Sequence, residues 1–286
     1  MDYKLKGIFY DYKKERSMLE HPALTITVIV LAYFVIGVGL AMIVPENPSA
    51  MEQAKSAILG TGATLLIFLL GAKYLGKHSW KSLGFQKKAV LKKYLIGLFI
   101  GFISFGAVVL ITMLFGMQHL VKNEVSMSTL LLFFVTFMVQ GASEEIMFRS
   151  VIFSEISSRF GFIIGLISSS ILFALIHAGS STMGVVNMFF YGSMMALAYY
   201  WSENIILNTG MHTMWNFAEG NIFGVSVSGH SIGKEAILKS TFSGNPLISG
   251  GTNFGSESGL ICTFVLIVSC IIFGILVLRK QKKSYK

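Results

Sequence analysis

TLLLFFVTFMVQGASEEIMFRSVIF, residues 129–153, decides the fold. About 20 mostly apolar residues suffice for a helix to cross a bilayer, and this run is longer. It also carries Glu144, Glu145 and Arg149, groups that are costly inside a membrane and mark functional sites by default. Working outward, comparable apolar runs lie near 23–44, 54–74, 93–117, 160–178, 183–201 and 258–278, with a shorter one near 204–217. They predict an all-α polytopic membrane helix bundle of about eight transmembrane helices.

The composition agrees. Of 286 residues, 53% are hydrophobic and only 13% are charged, against about 25% charged in a soluble domain. Too little charge is present to cover a water-facing surface of this size. That excludes an ordinary cytosolic enzyme, a disordered tail and a nucleic-acid binder. The roughly 10-residue alternation of a membrane barrel is absent. The net charge of +9 sits in short basic blocks beside the apolar runs, so membrane lipids are the expected partner and nucleic acid is not.

Charge placement supports the count of spans. With a cytoplasmic N-terminus, nineteen of the 23 Lys and Arg residues fall on the inside and four outside. This bias fits eight spans with both termini cytoplasmic. The organisation expected is a cytoplasmic segment 1–22, one transmembrane domain 23–278, and a basic tail 279–286. No cleavable signal is evident, and a plasma membrane suits the short basic tail. Cys262 and Cys270 lie two helical turns apart in the last run, too far to bridge, and read as lipid-facing or packed thiols. The Gly- and Ser-rich loop 218–257 is long enough to suggest a function. No internal repeat is visible.

Three apolar runs carry polar groups, and they follow one another. In GASEEIMFRS, 141–150, Glu145 and Arg149 are spaced i,i+4 and can pair on one helix face. Glu144 points about 100° away and is left free for general acid/base work. In FALIHAG, 173–179, Phe173 and His177 share a face. In NTGMHTMWNF, 208–217, His212 and Asn216 do the same. Each feature alone has a plain structural reading: charged groups snorkelling at a helix end, a capping histidine, or hydrogen bonds between helices. Together they are most economically satisfied around one wet cavity, because buried polar groups need partners. A carboxylate and an imidazole can deprotonate water, and a second imidazole and a carboxamide can donate to an oxyanion. These are the parts of an amide hydrolase without a Ser or Cys nucleophile.

EExxxR at 144–149, FxxxH at 173–177 and HxxxN at 212–216, in that order, resemble the three motifs of the CAAX-protease and bacteriocin-processing (CPBP, or Abi) family, which includes the type II CAAX prenyl endopeptidases. The likeness is strong over about 129–220, and the core it implies extends over about 129–278. VSGH at 227–230 and GGTNFGSESG at 250–259 look like the family's loop before its last helix. The resemblance implies an intramembrane endopeptidase acting on a membrane-associated peptide or lipidated protein: peptide maturation, bacteriocin processing or self-immunity, or CAAX-type processing. On its glutamate-type mechanism, Glu144 and His177 activate water, His212 and Asn216 form the oxyanion hole, and Glu145 and Arg149 brace the site. No cofactor is expected on that mechanism. The alternative is zinc or another divalent metal held by Glu144, His177 and His212, although no HExxH pair is present. The competing functions are a proton-coupled transporter and a non-catalytic membrane scaffold or immunity protein.

The span boundaries conflict with convergence. They place Glu144 nearer the inside and His177 nearer the outside, roughly 10 Å apart in depth at 1.5 Å per residue. Bringing the two together requires a long or tilted fourth helix, a broken fifth one, or different boundaries. Among the weaker features, 1–22 reads as surface-lying and 77–88 as a basic interface anchor. Trp201 and Tyr199–Tyr200 read as an aromatic belt, and Trp215 as core packing. His21, His78, His119 and His230 read as interfacial or solvated.

Overall fold

The structure is a computed structural model that describes residues 7–16, 27–28, 31–32, 35–36, 49–177, 181–230 and 235–283. The chain folds as an all-α membrane bundle with one small sheet. Four helices among the described residues are long and apolar enough to cross a membrane: Met51–Leu75, Val90–Leu114, Met127–Phe160 and Leu260–Lys282. The first expected span, 23–44, lies almost wholly outside the described residues.

The α-helices with continuous bounds among the described residues are, in chain order, α1 (Ile8–Arg16), α2 (Ala50–Leu70), α3 (Val90–Leu114), α4 (Met127–Glu145), α5 (Ser154–Phe160), α6 (Phe162–Ile176), α7 (Thr182–Ser202), α8 (Ile205–Phe217), α9 (Pro246–Ser249) and α10 (Leu260–Lys283). Local chemistry starts them. Ser49 and Glu52 form a reciprocal capping box on α2, an arrangement that satisfies two otherwise orphan N–H groups. Ser126, Ser181 and Asn204 cap α4, α7 and α8 through their side-chain oxygens.

Two helical hairpins form the centre. In the first, α4, a π-helical stretch Ile146–Phe153 and α5 make one continuous run to Phe160. Gly161, at φ 89°, then reverses the chain into α6. Glu144 lies 17 residues before Gly161 and His177 lies 16 after it. Antiparallel helices pivoting there therefore bring the two to one level. This corrects the expected boundaries: the fourth helix runs past 153, and the fifth is a 15-residue helix that ends at the site. In the second hairpin, α7 and α8 reverse at Glu203, at φ 51°, and the Asn204 cap.

Small residues let α8 sit deep in the bundle. A Cβ on Gly97 would lie 2.2 Å from the Leu207 carbonyl oxygen, and one on Gly101 would lie 2.3 Å from that of Met211. Backbones approach this closely only where side chains are absent. Gly141 brings α4 against α8 in the same way, since a Cβ there would fall 3.3 Å from the His212 Cβ.

At one end of the bundle, β1 (Gln118–Lys122) pairs antiparallel with β2 (Leu238–Phe242), Leu120 opposite Ser240. At the other end lies α1. For residues 7–16, the described part of 1–22, the expected surface placement is corrected, because Ile8, Phe9 and Tyr12 are buried. Their i, i+1, i+4 spacing makes one apolar stripe, which Asp11 and the Lys and Glu residues that follow obscure. Tyr199 and Tyr200 are likewise buried beneath this helix, not an aromatic belt: the Phe9 ring stacks on Tyr200 at 4.9 Å and meets Tyr199 edge-on at 5.4 Å. His78 is buried too, stacked on Tyr12 at 3.7 Å. His119 and His230 are exposed as expected, Cys262 is packed in the core, and both cysteines are free.

Candidate active site

Five of the six expected site residues meet between α4, α6 and α8. Glu145 is fully buried. Its Oε1 lies 2.9 Å from His212 Nδ1 and 3.1 Å from Arg149 Nη1, while its Oε2 accepts from Asn208 Nδ2 at 3.2 Å. The Arg149 contact is out of line for a hydrogen bond on Nη1, so this pair is held mainly by charge. Arg149 Nη2 donates to the Gly192 carbonyl at 3.3 Å, and the guanidinium lies over the Phe173 ring, 4.6 Å from its centroid. The π-helical stretch that begins right after Glu145 contains Arg149. Such widened turns recur at functional sites.

Glu144 has the opposite environment. Its Oε1 accepts from Gln140 Nε2 at 3.1 Å. Its Oε2 is buried and has no hydrogen bond among the described residues. That oxygen faces His177 Nε2 at 3.9 Å and His212 Nε2 at 3.7 Å. These gaps are too long for direct hydrogen bonds and short enough for one water to touch both sides. Glu144 and His177 keep side-chain exposures of 12% and 15%, whereas His212 keeps 3%. The site is therefore buried but not sealed.

Each imidazole is oriented by its far nitrogen. His177 Nδ1 lies 2.8 Å from the Phe173 carbonyl, which can only accept, so Nδ1 carries the proton. In the neutral ring this leaves a lone pair on Nε2. His212 Nδ1 is likewise committed to Glu145, and its ring meets Tyr191 edge-on at 5.3 Å. Phe173 is the common wall, 4.6 Å from the His177 ring and 5.7 Å from that of Tyr191. Asn216 lies one turn beyond His212, nearly buried, and takes no part in the contacts that join the other five.

Among the described residues no group of three or more His, Cys, Asp and Glu side chains is arranged to hold a metal ion. Ligands about 2.0–2.1 Å from a tetrahedral zinc sit about 3.4 Å apart. The 3.7 and 3.9 Å separations are looser than that.

Gln140 and Asn208 were not picked out as site residues from the sequence. Both were findable: each lies four residues before a motif residue, on the same helix face as Glu144 and His212 respectively. Glu257, which reaches Trp215 from a remote loop at 2.9 Å, had no such signal.

Residues 126–218 match the family described as Rce1-like, type II CAAX prenyl endopeptidase Rce1-like. Over this stretch, about a third of the chain, the sequence is similar to that family. The match spans α4 through α8 and includes all three motifs. No curated protein and no solved structure matches the chain. The apolar helices make this a membrane protein, and the part that carries the three motifs is similar to a family of membrane endopeptidases.

Proposed function

We propose that this protein is an intramembrane endopeptidase that cleaves a membrane-associated peptide or protein with a water activated by Glu144. One observation carries the reading: the unpartnered Glu144 Oε2 faces the Nε2 atoms of two imidazoles at 3.9 and 3.7 Å, close enough for a water lying to one side to touch the carboxylate and an imidazole together.

In this mechanism, water sits beside Glu144 Oε2 and His177 Nε2, within hydrogen-bond reach of both. Glu144 takes one proton as the water oxygen attacks the scissile carbonyl carbon. His177 Nε2, with a lone pair in the neutral tautomer, orients the water by accepting its other hydrogen. The carbonyl oxygen becomes an oxyanion beside His212 Nε2. Donation there requires a proton on Nε2 as well, because Nδ1–H is already given to Glu145. Asn216 supplies a second donor at the same face. Glu144 then returns its proton to the leaving amine. Arg149 and Asn208 hold Glu145, and Glu145 holds His212. If a metal is bound, Glu144, His177 and His212 are the residues to hold it. We assign α1 to the cytoplasmic end and the protein to the plasma membrane, as the basic-residue bias favours.

The test is peptide release by purified protein in lipid vesicles, with and without chelator. Glu144→Ala, His177→Ala and His212→Ala should each abolish release, and chelator should leave the wild type active. Chelator-sensitive release restored by zinc overturns the metal-free mechanism. Substrate-stimulated proton flux without release overturns the protease reading in favour of transport.

A further inference from the structure

Glu257 lies far from the motifs in sequence, in the turn Ser256–Ser258 before α10, yet it is 2% exposed and reaches the site helix. Its Oε1 accepts from Trp215 Nε1 at 2.9 Å. Its Oε2 accepts the Ser228 N–H at 3.0 Å and the Ser228 hydroxyl at 2.7 Å. Its own carbonyl accepts from Asn187 Nδ2 of α7 at 2.8 Å. The side chain and main chain are therefore fixed from three elements. Trp215 follows His212 by three residues and precedes Asn216 by one. Its ring is wedged between Phe105 at 5.3 Å and Tyr191 at 5.1 Å, and Tyr191 in turn bears on the His212 ring at 5.3 Å.

We propose that Glu257 is a positioning residue for the peptidase site. It fixes the Trp215 indole, through Trp215 and Tyr191 it sets the plane of the His212 ring, and it clamps residues 225–230 to α8. The proposal rests on the endopeptidase reading for its effect on turnover, but not for the clamp itself. A carboxylate is required because two N–H donors arrive on different oxygens. A neutral amide has one acceptor oxygen, so it must turn its NH2 against one of them.

Glu257→Gln preserves volume and takes a carboxylate away from beside the buried Glu219, so it should fold. The experiment compares wild type, Glu257→Gln, Trp215→Phe and the double variant in vesicles, with Ser228→Ala as the mildest change. Peptide release gives kcat and KM. Hydrogen exchange at 225–230 gives the clamp without any cleavage. Glu257→Gln and Trp215→Phe should each lower kcat roughly 10- to 100-fold with KM little changed, the scale of a small misplacement of reacting groups. The double variant should fall short of the product of the two, as coupled residues do. Exchange at 225–230 should rise in Glu257→Gln and, less, in Ser228→Ala. Unchanged kcat in either single variant, a double effect equal to the product, or unchanged exchange overturns the proposal. If wild type releases no peptide, the endopeptidase reading fails while exchange still decides the clamp.

Discussion

The first hairpin carries two i,i+4 Glu–Arg pairs, one at the site and one at the α1 end. Glu145–Arg149 is buried beside His212. Glu155–Arg159 faces α1, where Glu155 Oε1 accepts from Arg16 Nε and Arg159 Nε, both at 2.8 Å. Nearby, Glu15 Oε2 meets His78 Nδ1 at 3.2 Å, the Ser79 N–H at 3.0 Å and the Ser82 hydroxyl at 2.5 Å. Both clusters use Glu, Arg and His. At the α1 end these contacts occupy the carboxylates and hold a helix in place. At the site Glu145 is filled in the same manner, but Glu144 keeps a buried oxygen with nothing bonded to it. Other buried polar atoms among the described residues also lack a partner, including the Tyr12 hydroxyl of α1 and both Glu219 oxygens; what sets Glu144 Oε2 apart is that two imidazole nitrogens face it.

The sharpest break in this comparison is Glu144→Gln. Removing a general base costs about 10²–10⁴-fold in rate, so kcat for peptide release should fall by that factor. Thermal stability should hold or rise, since no filled bond is lost except the one from Gln140. A variant that unfolds, or one that retains kcat, puts Glu144 in the same class as Glu155.

Arg149→Met inverts the result. It strips the cation from a fully buried carboxylate, and breaking such a pair costs about 3–5 kcal/mol. Denaturant unfolding in detergent should show that loss, and activity should fall with it because His212 loses its anchor. Full stability in Arg149→Met would mean that Asn208 and His212 alone satisfy Glu145.

The same contrast explains what was legible in the sequence. EExxxR and HxxxN reveal their faces through i,i+4 spacing, and so the division of labour between Glu144 and Glu145 could be read without coordinates. The apparent 10 Å mismatch in depth arose because hydropathy cannot see a helix continuing through Ser154–Phe160, where polar residues keep helical geometry. Gly161 was the missing pivot. Glu257 and Ser228 lie in the two loop segments already marked by their resemblance, but their pairing was hidden for a different reason: Trp215 and Ser228 are 42 and 29 residues from Glu257, and no local period links them. The burial of α1 was hidden because nine residues are too few for a stripe to stand out among Lys and acidic neighbours.

At the α1 end, Glu155→Gln should remove charge-assisted bonds from two arginines that keep some solvent contact. The expected cost is about 1–2 kcal/mol, read by thermal unfolding, with kcat per folded molecule unchanged. A kcat loss as large as that of Glu144→Gln would make the α1 cluster part of the catalytic machinery and erase the distinction between the two regions.

The smallest effect is on pH. His78 is held below its ordinary value near 6.5 by burial, which outweighs the pull of Glu15 in the other direction. Burial pushes Glu15 up, but hydrogen bonds from Ser82, Ser79 and His78 outweigh it and hold the carboxyl below 4.5. For both groups the unfolded chain binds protons more readily, so stability is present at higher pH and is lost on acidification. The His78 share goes first, as pH falls through about 6.5 towards its lowered folded value, and the Glu15 share follows below 4.5. The melting temperature of the wild type should therefore drop between pH 7.5 and 5.5 by about 2 °C more than that of His78→Phe, which keeps the ring on Tyr12 and removes the titrating nitrogen. An equal drop in both proteins would show that the α1 cluster is insensitive to His78 protonation. The distinction between a saturated cluster and an open one would then rest on the site alone.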